Sequence, residues 1–181
     1  PNPLKPEIAT GGSTTFCEGK SVKIALTSGS TFEWMRNDIL EPSLNTQFID
    51  ASLPGVYKGR VLNQFNCPSP YSDQINVTNW PMPASPVVTA NAPTIFCAGG
   101  SVVLEASSNV SAPRWYQNNA INFFSTENKV SINSTPNATS NTDTEYYATV
   151  IDTNGCISSP STKIRVSIRS NPTLPRINKI G

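Results

Sequence analysis

Residues 14–22 read TTFCEGKSV, and residues 94–102 read TIFCAGGSV. The second stretch restates the first 80 residues later, with its cysteine, a glycine two positions on, and a Ser-Val pair that opens an alternating segment. Self-similarity at a fixed spacing is the signature of a repeated structural unit. The chain is therefore predicted to contain two copies of one domain.

The two copies stay in register along most of the chain. The offset is 80 at the cysteine of the quoted phrase, 81 at a tryptophan, and 89 at a tyrosine and at a second cysteine. The aligned pairs are Cys17 with Cys97, Trp34 with Trp115, Tyr57 with Tyr146, and Cys67 with Cys156. Because the offset grows between Trp115 and Tyr146, about eight extra residues are predicted within 117–143 of the second copy, as an extra strand pair and a loop.

Proline-rich sequence separates the copies. Residues 79–86 read NWPMPASP, and the three prolines favour a short, extended connector. We predict domain 1 over residues 1–80, including N-terminal linker sequence, a linker over 81–86, domain 2 over 87–170, and a C-terminal tail over 171–181. The opening PNPLKP also resembles linker sequence, so a longer parent protein is expected.

Each copy alternates apolar and polar residues, as half-buried strands do. Val22, Ile24 and Leu26 are predicted to face inward on one strand, and Phe32 and Trp34 on the next. Period-two segments separated by turn residues at short intervals are typical of antiparallel β-sandwiches. The predicted fold class is all-β, with one sandwich per copy.

The composition argues against several functional classes. The chain has 13 basic and 12 acidic side chains, a balance unlike that of nucleic-acid binders or polybasic membrane surfaces. No apolar run approaches the roughly 20 residues that span a bilayer. Histidine, the commonest general base and metal ligand, is absent. With no nucleophile–base pattern or phosphate loop, we predict no catalytic residues, no metal site, no cofactor and no enzyme activity.

The arrangement of these features resembles a pair of immunoglobulin-like domains. The shared pattern is G-x-S-V-x-[LI], then a tryptophan, then a strand of the form Y-x-small-x-V. In antibody-type domains a tyrosine lies two residues before the second core cysteine. Here Gly59 and Ala148 occupy that cysteine position, and Leu26 and Ala106 occupy the matching one. The resemblance implies two immunoglobulin-like sandwiches without the usual inter-sheet disulfide.

The four cysteines are two per copy and form no CxxC pair, which favours disulfides and an oxidising compartment over a zinc site. Four cysteines permit three pairings. We expect Cys17–Cys67 and Cys97–Cys156, because only this pairing keeps each bridge within its own copy at the matching place.

A narrower resemblance rests on the phrase [TI]-F-C-x-G-x-S-V together with D-x-N-G-C-x-S-x-x-S near the end of the second copy. The residues that carry the latter are Asp152, Asn154, Gly155, Cys156, Ser158 and Ser161. This is similar to immunoglobulin-like repeats of large secreted or surface proteins of Bacteroidetes, including gliding and adhesion proteins exported by type IX secretion. The resemblance implies an extracellular or cell-surface location. The first copy departs from it, with Gln64-Phe65-Asn66-Cys67 at the hairpin.

Three aromatic residues are candidate binding residues. Trp34 and Trp115 are predicted to be core residues, because they recur in the repeat. Trp80 is predicted to lie in the linker outside the repeat, where it either packs between the domains or binds a ligand. Phe123 and Phe124 lie in the extra segment of the second copy, where they either pack on the domain or contribute to binding.

One acidic pair is a candidate cation site. Asp143 and Glu145 either assist a Ca²⁺ site or are ordinary solvated charges.

The predicted function is a non-enzymatic segment of a large extracellular protein that acts as spacer and adhesion module. The alternative is a carbohydrate-binding accessory module of a secreted hydrolase. The expected partners are surface glycans or other proteins and the adjacent domains of the same chain. Nucleic-acid binding and membrane insertion are not expected, and the fragment is expected to be monomeric.

Overall fold

The structure is a computed structural model that describes residues 2–27 and 29–172. This described part contains fifteen β-strands and no helix. The chain divides into two compact units, Pro1–Pro81 and Met82–Gly181, which we call unit 1 and unit 2. The predicted all-β class, with two tandem immunoglobulin-like sandwiches, is confirmed.

Unit 1 packs a three-stranded sheet against a five-stranded sheet. Its strands are β1 (Ile8–Thr10), β2 (Thr15–Cys17), β3 (Val22–Leu26), β4 (Thr31–Arg36), β5 (Ile39–Leu40), β6 (Phe48–Ala51), β7 (Gly55–Leu62) and β8 (Ile75–Trp80). The sheet orders are β1-β3-β6 and β2-β8-β7-β4-β5. Neighbouring strands are antiparallel except β2 and β8, which run parallel.

Unit 2 repeats this plan. Its strands are β9 (Val87–Ala90), β10 (Ile95–Cys97), β11 (Ser101–Ser107), β12 (Arg114–Gln117), β13 (Lys129–Asn133), β14 (Thr142–Thr149) and β15 (Ile164–Arg169). The sheet orders are β13-β11-β9 and β10-β15-β14-β12, with β10 and β15 parallel. The described part of unit 2 has no counterpart of β5.

The core of each unit is built from the alternation seen in the sequence. Val22, Ile24 and Leu26 are buried in β3, and the intervening Lys23 is exposed. Trp34 is completely buried, and its indole Nε1 donates to a backbone carbonyl at 2.9 Å. Trp115 repeats both features in unit 2. The prediction of core tryptophans is confirmed.

A small residue on the neighbouring strand makes room for each tryptophan. Trp34 lies opposite Gly59 in the pairing of β4 with β7, and a Cβ at Gly59 would lie 2.6 Å from Leu26 Cδ1. In unit 2 Trp115 lies opposite Ala148, and the residue corresponding to Leu26 is Ala106. Antibody domains place a disulfide at this point. Here the space is filled by Leu26 with Gly59 in unit 1, and by Ala106 with Ala148 in unit 2.

Two serines fasten the segment after each hairpin to the central strand. Ser158 N donates to the Val150 carbonyl at 2.9 Å, and Ser158 Oγ accepts the Val150 N–H at 3.0 Å. Ser161 makes the same two bonds to Ala148 at 2.8 and 3.0 Å. Ser69 and Ser72 repeat the arrangement in unit 1. The S-x-x-S spacing thus satisfies buried backbone groups where the strand pairing is interrupted.

The extra residues of unit 2 lie after β13. Ile132 pairs with Val102 as Ala51 pairs with Val22, so β13 is the counterpart of β6. Residues 134–141 connect β13 to β14, where unit 1 has only 52–54. The predicted extra strand pair is therefore wrong, because the added length is taken up by a longer connection that leaves the strand pairing unchanged.

The packing of Leu26 against Gly59 can be tested by exchange between the units. Gly59→Ala is expected to lower the free energy of unfolding of unit 1 by about 1–3 kcal/mol, because the added methyl group overpacks the core. Leu26→Ala alone is expected to cost about 2–5 kcal/mol. The double variant recreates the alanine pair of unit 2, so Gly59→Ala should cost little or stabilise in that background. Urea titration followed by hydrogen exchange of β3 and β7 measures this coupling, and additive effects of the two changes would contradict the packing argument.

Candidate functional site

The oxidation states of the cysteines differ from the prediction. Cys17 and Cys156 are disulfide-bonded, and Cys67 and Cys97 carry free thiols. The expected pairs Cys17–Cys67 and Cys97–Cys156 are therefore wrong, since each includes a free thiol.

The topology of a single unit explains why those pairs do not form. Cys17 lies opposite Trp80 at the end of β8, whereas Cys67 lies in the hairpin at the far end of β7. Gly55 of β7 lies opposite Val77, and the strands extend in opposite directions from there to Leu62 and Trp80. About ten residues at roughly 3.3 Å each separate the two levels, on the order of 30 Å. A disulfide needs Cα atoms about 5.5–6 Å apart.

Unit 2 has the same layout. Cys97 lies opposite Arg169 at the end of β15, and Cys156 lies in the hairpin between β14 and β15. We call the end of a unit that holds Cys67 or Cys156 the hairpin end, and the end that holds Cys17 or Cys97 the exit end.

Trp80 does not lie in the linker. It is the last residue of β8, and its carbonyl accepts a hydrogen bond from Glu18 N at 2.8 Å. The parallel strand β2 pairs with β8 as far as Trp80. The sequence did not indicate this, because Trp80 is followed directly by proline-rich sequence. Arg169 takes the equivalent place in unit 2. A role of Trp80 in binding stays a prediction.

Phe123 and Phe124 lie before the longer connection, beside β12. Phe124 N donates to the Trp115 carbonyl at 2.9 Å, and the Phe124 ring meets the buried Tyr146 ring edge-on at 6.0 Å. The Phe123 ring instead meets Tyr116 edge-on at 6.4 Å, and the two phenylalanines are about equally exposed, 45% for Phe123 and 47% for Phe124. They differ in their partners: Phe124 packs on a buried core tyrosine, and Phe123 belongs to a group of outward-facing side chains.

That group is a row of aromatic and cationic side chains across the outer surface of unit 2. The Tyr116 and Tyr147 rings, directly opposite in the pairing of β12 with β14, are stacked with centroids 5.1 Å apart. Lys163 Nζ lies 5.8 Å from the Tyr147 ring, and the Arg114 guanidinium lies 5.2 Å from the Phe123 ring. We call this row the tyrosine face, and its members are Arg114, Tyr116, Phe123, Tyr147 and Lys163.

The tyrosine face was missed from the sequence, although a signal was present. In RWYQ and TEYYAT, an aromatic residue directly follows or precedes a core position of the strand. Since alternate side chains point to opposite faces, Tyr116 and Tyr147 must point outward when Trp115 and Tyr146 point inward.

The same surface of unit 1 carries paired charges and one aromatic ring, Tyr71, which lies 5.2 Å from Lys58 Nζ and 4.9 Å from the Arg60 guanidinium. Met35 and Lys58 stand where unit 2 has Tyr116 and Tyr147, and Glu33 stands where it has Arg114. Glu33 accepts a hydrogen bond from Arg60 Nε at 2.6 Å, and Lys58 is ion-paired with Asp38. Side chains that satisfy one another in this way leave little for a ligand.

Arg114 lacks such a partner in the described part of the chain, where none of the ion pairs includes it. Directly opposite Arg114 in the sheet, Thr149 replaces the Arg60 of unit 1. Thr149 is 6% exposed, and its Oγ1 has no hydrogen-bond partner among the described residues.

The carboxylates of Asp143 and Glu145 are engaged by cationic side chains. Asp143 accepts from the Ser167 hydroxyl and lies 2.9 Å from Arg165, and both contacts lower its pKa, the serine more strongly. Glu145 lies 2.9 Å from Lys163, whose hydrogen bond lowers the pKa of Glu145 and raises that of Lys163. These are ion-paired surface carboxylates, and no group of three metal-ligating side chains occurs in residues 2–27 and 29–172.

Comparison with known proteins addresses unit 2 most directly. Residues 83–170 match a family described as "Ig-like domain CHU_C associated", which is just under half of the 181 residues. Unit 2 is similar to this family. The match supports immunoglobulin-like repeats in the chain.

Two solved structures are similar over most of the chain. The human OSCAR ligand-binding domain is 13% identical, with 91% of this chain and 99% of that chain covered at a TM-score of 0.37. The fibronectin(III)-like modules of Clostridium thermocellum CbhA are 14% identical, with 96% and 100% covered at a TM-score of 0.40. No curated protein sequence matches significantly. Within the described residues there is no helix suited to crossing a membrane.

The unpartnered hydroxyl beside the tyrosine face leads to a prediction. Thr149→Val is expected to raise the free energy of unfolding of unit 2 by about 1 kcal/mol, because it removes a buried polar atom that makes no hydrogen bond. Ser161→Ala is the opposing control and should lower it by about 1–3 kcal/mol, since it leaves the Ala148 N–H unpaired. Chemical denaturation of the full chain measures both, and destabilisation by Thr149→Val would show that the hydroxyl has a partner.

Proposed function

We propose that this chain is a non-enzymatic segment of a larger extracellular protein, in which unit 2 binds a ligand through its tyrosine face and unit 1 serves as a spacer. The proposal rests on one observation above all. The two units share their cores, hairpins and serine pairs. Among the described residues, the outer surface of unit 2 has stacked tyrosines and an arginine without a carboxylate partner, whereas the cations against the single Tyr71 ring of unit 1 are both ion-paired.

The chemistry of the tyrosine face favours a glycan that carries an acidic group. Sugar rings have apolar C–H faces that pack against aromatic rings such as Tyr116 and Phe123, which bring large contact areas with little loss of conformational freedom. The Arg114 guanidinium offers a planar set of donors that matches a carboxylate. The two stacked tyrosines lie side by side on one face of a sheet, an arrangement that suits recognition of a polymer better than enclosure of a small molecule.

A non-enzymatic role is supported by the composition and by what the polar side chains do. The chain has no histidine. The carboxylates nearest the tyrosine face are held in ion pairs whose effect lowers the pKa of Asp143 and Glu145, which is unsuited to general acid catalysis at neutral pH. Immunoglobulin-like domains are typically non-catalytic.

An extracellular or cell-surface location is supported by the disulfide-bonded Cys17 and Cys156, since disulfides persist in oxidising compartments. The similarity of unit 2 to a family of immunoglobulin-like domains is consistent with this location. The sequence resemblance to surface repeats of Bacteroidetes extends the proposal to adhesion or gliding proteins exported by type IX secretion.

The binding proposal is tested on a glycan array that includes uronic-acid and sialic-acid polymers. The full chain is expected to bind acidic glycans, and Tyr116→Ala with Phe123→Ala is expected to weaken binding at least about tenfold, or ~1.4 kcal/mol. Arg114→Gln should reduce the preference for acidic over neutral glycans. Met35→Ala, at the equivalent place on unit 1, is the matched control and should change nothing.

Three outcomes would contradict this assignment. Absence of glycan binding would leave a protein ligand or a purely spacing role. Loss of binding in Trp80→Ala with the tyrosine-face variant unaffected would move the site to the exit end of unit 1. Binding to neutral plant polysaccharides alone, such as xylan or cellulose, would favour the alternative that the chain is an accessory module of a secreted hydrolase.

A further inference from the structure

The four cysteines are of two kinds, and each kind has one oxidised and one free member. Cys17 and Cys97 lie at exit ends, and only Cys17 is disulfide-bonded. Cys67 and Cys156 lie at hairpin ends, and only Cys156 is disulfide-bonded. Each free thiol therefore occupies a place whose repeated counterpart takes part in a disulfide in this same structure.

The backbone holds the free and the oxidised members of each kind identically. At the exit ends, Glu18 N donates to the Trp80 carbonyl and Ala98 N to the Arg169 carbonyl, both at 2.8 Å. Lys20 N and Gly100 N each donate to the carbonyl of the preceding cysteine, both at 3.0 Å. Cys97 is thus presented just as Cys17 is.

The hairpins match despite their different sequences. The Asn63 Oδ1 accepts from Cys67 N at 3.0 Å, and Asp152 Oδ1 accepts from Cys156 N at 2.8 Å. The residue before each cysteine has a positive φ, 57° at Asn66 and 83° at Gly155, a conformation that asparagine and glycine tolerate best. Cys67 is therefore held in the same turn as Cys156.

Exposed apolar side chains accompany the two free thiols. Phe65, in the hairpin of Cys67, is 75% exposed, and Asn154 stands at its place in unit 2. Ile95, beside Cys97, is 63% exposed, and Thr15 stands at its place in unit 1. Both sites thus expose an apolar side chain where the counterpart has a polar one, as expected of surfaces that another domain covers.

A further repeat is the neighbour that fits these sites. A cysteine at an exit end cannot reach the hairpin of its own unit, but in a tandem array the chain leaves one exit end and enters the hairpin end of the next unit. The entering segment of unit 1 shows this placement, since Pro3–Glu7 share a groove with Val61, Leu62 and Asn63.

The sequence carries the boundary pattern of such an array three times. P-x-x-P precedes each copy, at Pro3 and Pro6 and again at Pro83 and Pro86. It recurs at Pro172 and Pro175, at the offset of 89 that relates the ends of the two copies.

We propose that Cys97 forms a disulfide with the hairpin cysteine of a following repeat, and Cys67 with the exit-end cysteine of a preceding one, so that successive repeats are covalently fastened end to end. Each bond joins two thiol sulfurs, with loss of two protons and of two electrons to a disulfide oxidant through thiol–disulfide exchange. This inference concerns how repeats connect and does not depend on the ligand of the tyrosine face.

The test uses a fusion of residues 1–172 to residues 4–181 of a second copy, so that Leu4 follows Pro172 and the P-x-x-P boundary is recreated. In the test variant, Cys67→Ser in the first copy and Cys97→Ser in the second leave one free thiol at each side of the new junction. In the matched control, Cys97→Ser in the first copy and Cys67→Ser in the second leave the two thiols at the outer ends.

After equilibration in glutathione redox buffer, alkylation and non-reducing peptide mapping give the result. We expect a Cys97–Cys67 crosslink in the test variant at a ratio of oxidised to reduced glutathione at least about tenfold lower than any crosslink in the control, because the short connection raises the effective thiol concentration. Thiols that remain alkylatable in the test variant, equal oxidation of the control, or crosslinks that scramble with Cys17 and Cys156 would each overturn the proposal. Glycan binding by the same fusion reports separately on the tyrosine face.

Discussion

The burial of one tryptophan per unit is the constraint on which the rest of the fold depends. Trp34 and Trp115 are completely buried, and each lies against a strand that must supply a residue small enough to accept the indole. The remaining volume beside the indole is filled by Leu26 of β3 in unit 1 and by Ala106 of β11 in unit 2. The packing of one tryptophan therefore constrains three strands of its unit. Dispersion and hydrophobic burial then replace the covalent link that antibody domains place between their sheets.

Because this packing needs no disulfide in the core, the cysteines of each unit can lie near its ends. The cysteines lie towards the two ends of each sandwich and not in its middle, beside Trp80 and Arg169 and in the hairpins after β7 and β14. The two units differ in a third region, the outer face of the larger sheet. There, unit 1 keeps mutually satisfied charges and unit 2 has stacked tyrosines. The buried core, the cysteines and the surface on which the two units differ therefore lie in separate parts of one small domain.

The sequence was sufficient for the elements that depend on local pattern. Alternation located β3 and β11, and the recurrence of Trp34 and Trp115 identified the core. The cysteine pairing was not predictable in this way, because an alignment of copies shows which residues are equivalent but not that Cys17 and Cys67 lie at opposite ends. That fact depends on the parallel pairing of β2 with β8, a long-range contact without a local signal. The position of the extra residues was likewise hidden until the register of β13 was known, and the tyrosine face required knowing which strands are neighbours.

The short parallel strands β2 and β10 are also expected to govern how a unit responds to tension. Their hydrogen bonds to β8 and β15 lie across the direction in which the chain is pulled when its ends are drawn apart. Under such a load the hydrogen bonds between the two strands are sheared and must break at the same time. In a hairpin that is pulled open from its end, by contrast, the hydrogen bonds break one after another. The three residues of β2 and of β10, which lie within the two copies of the opening phrase, thus hold the last strand of their unit against this load. A chain of such units pulled at its two ends would therefore resist extension at the same place in each unit.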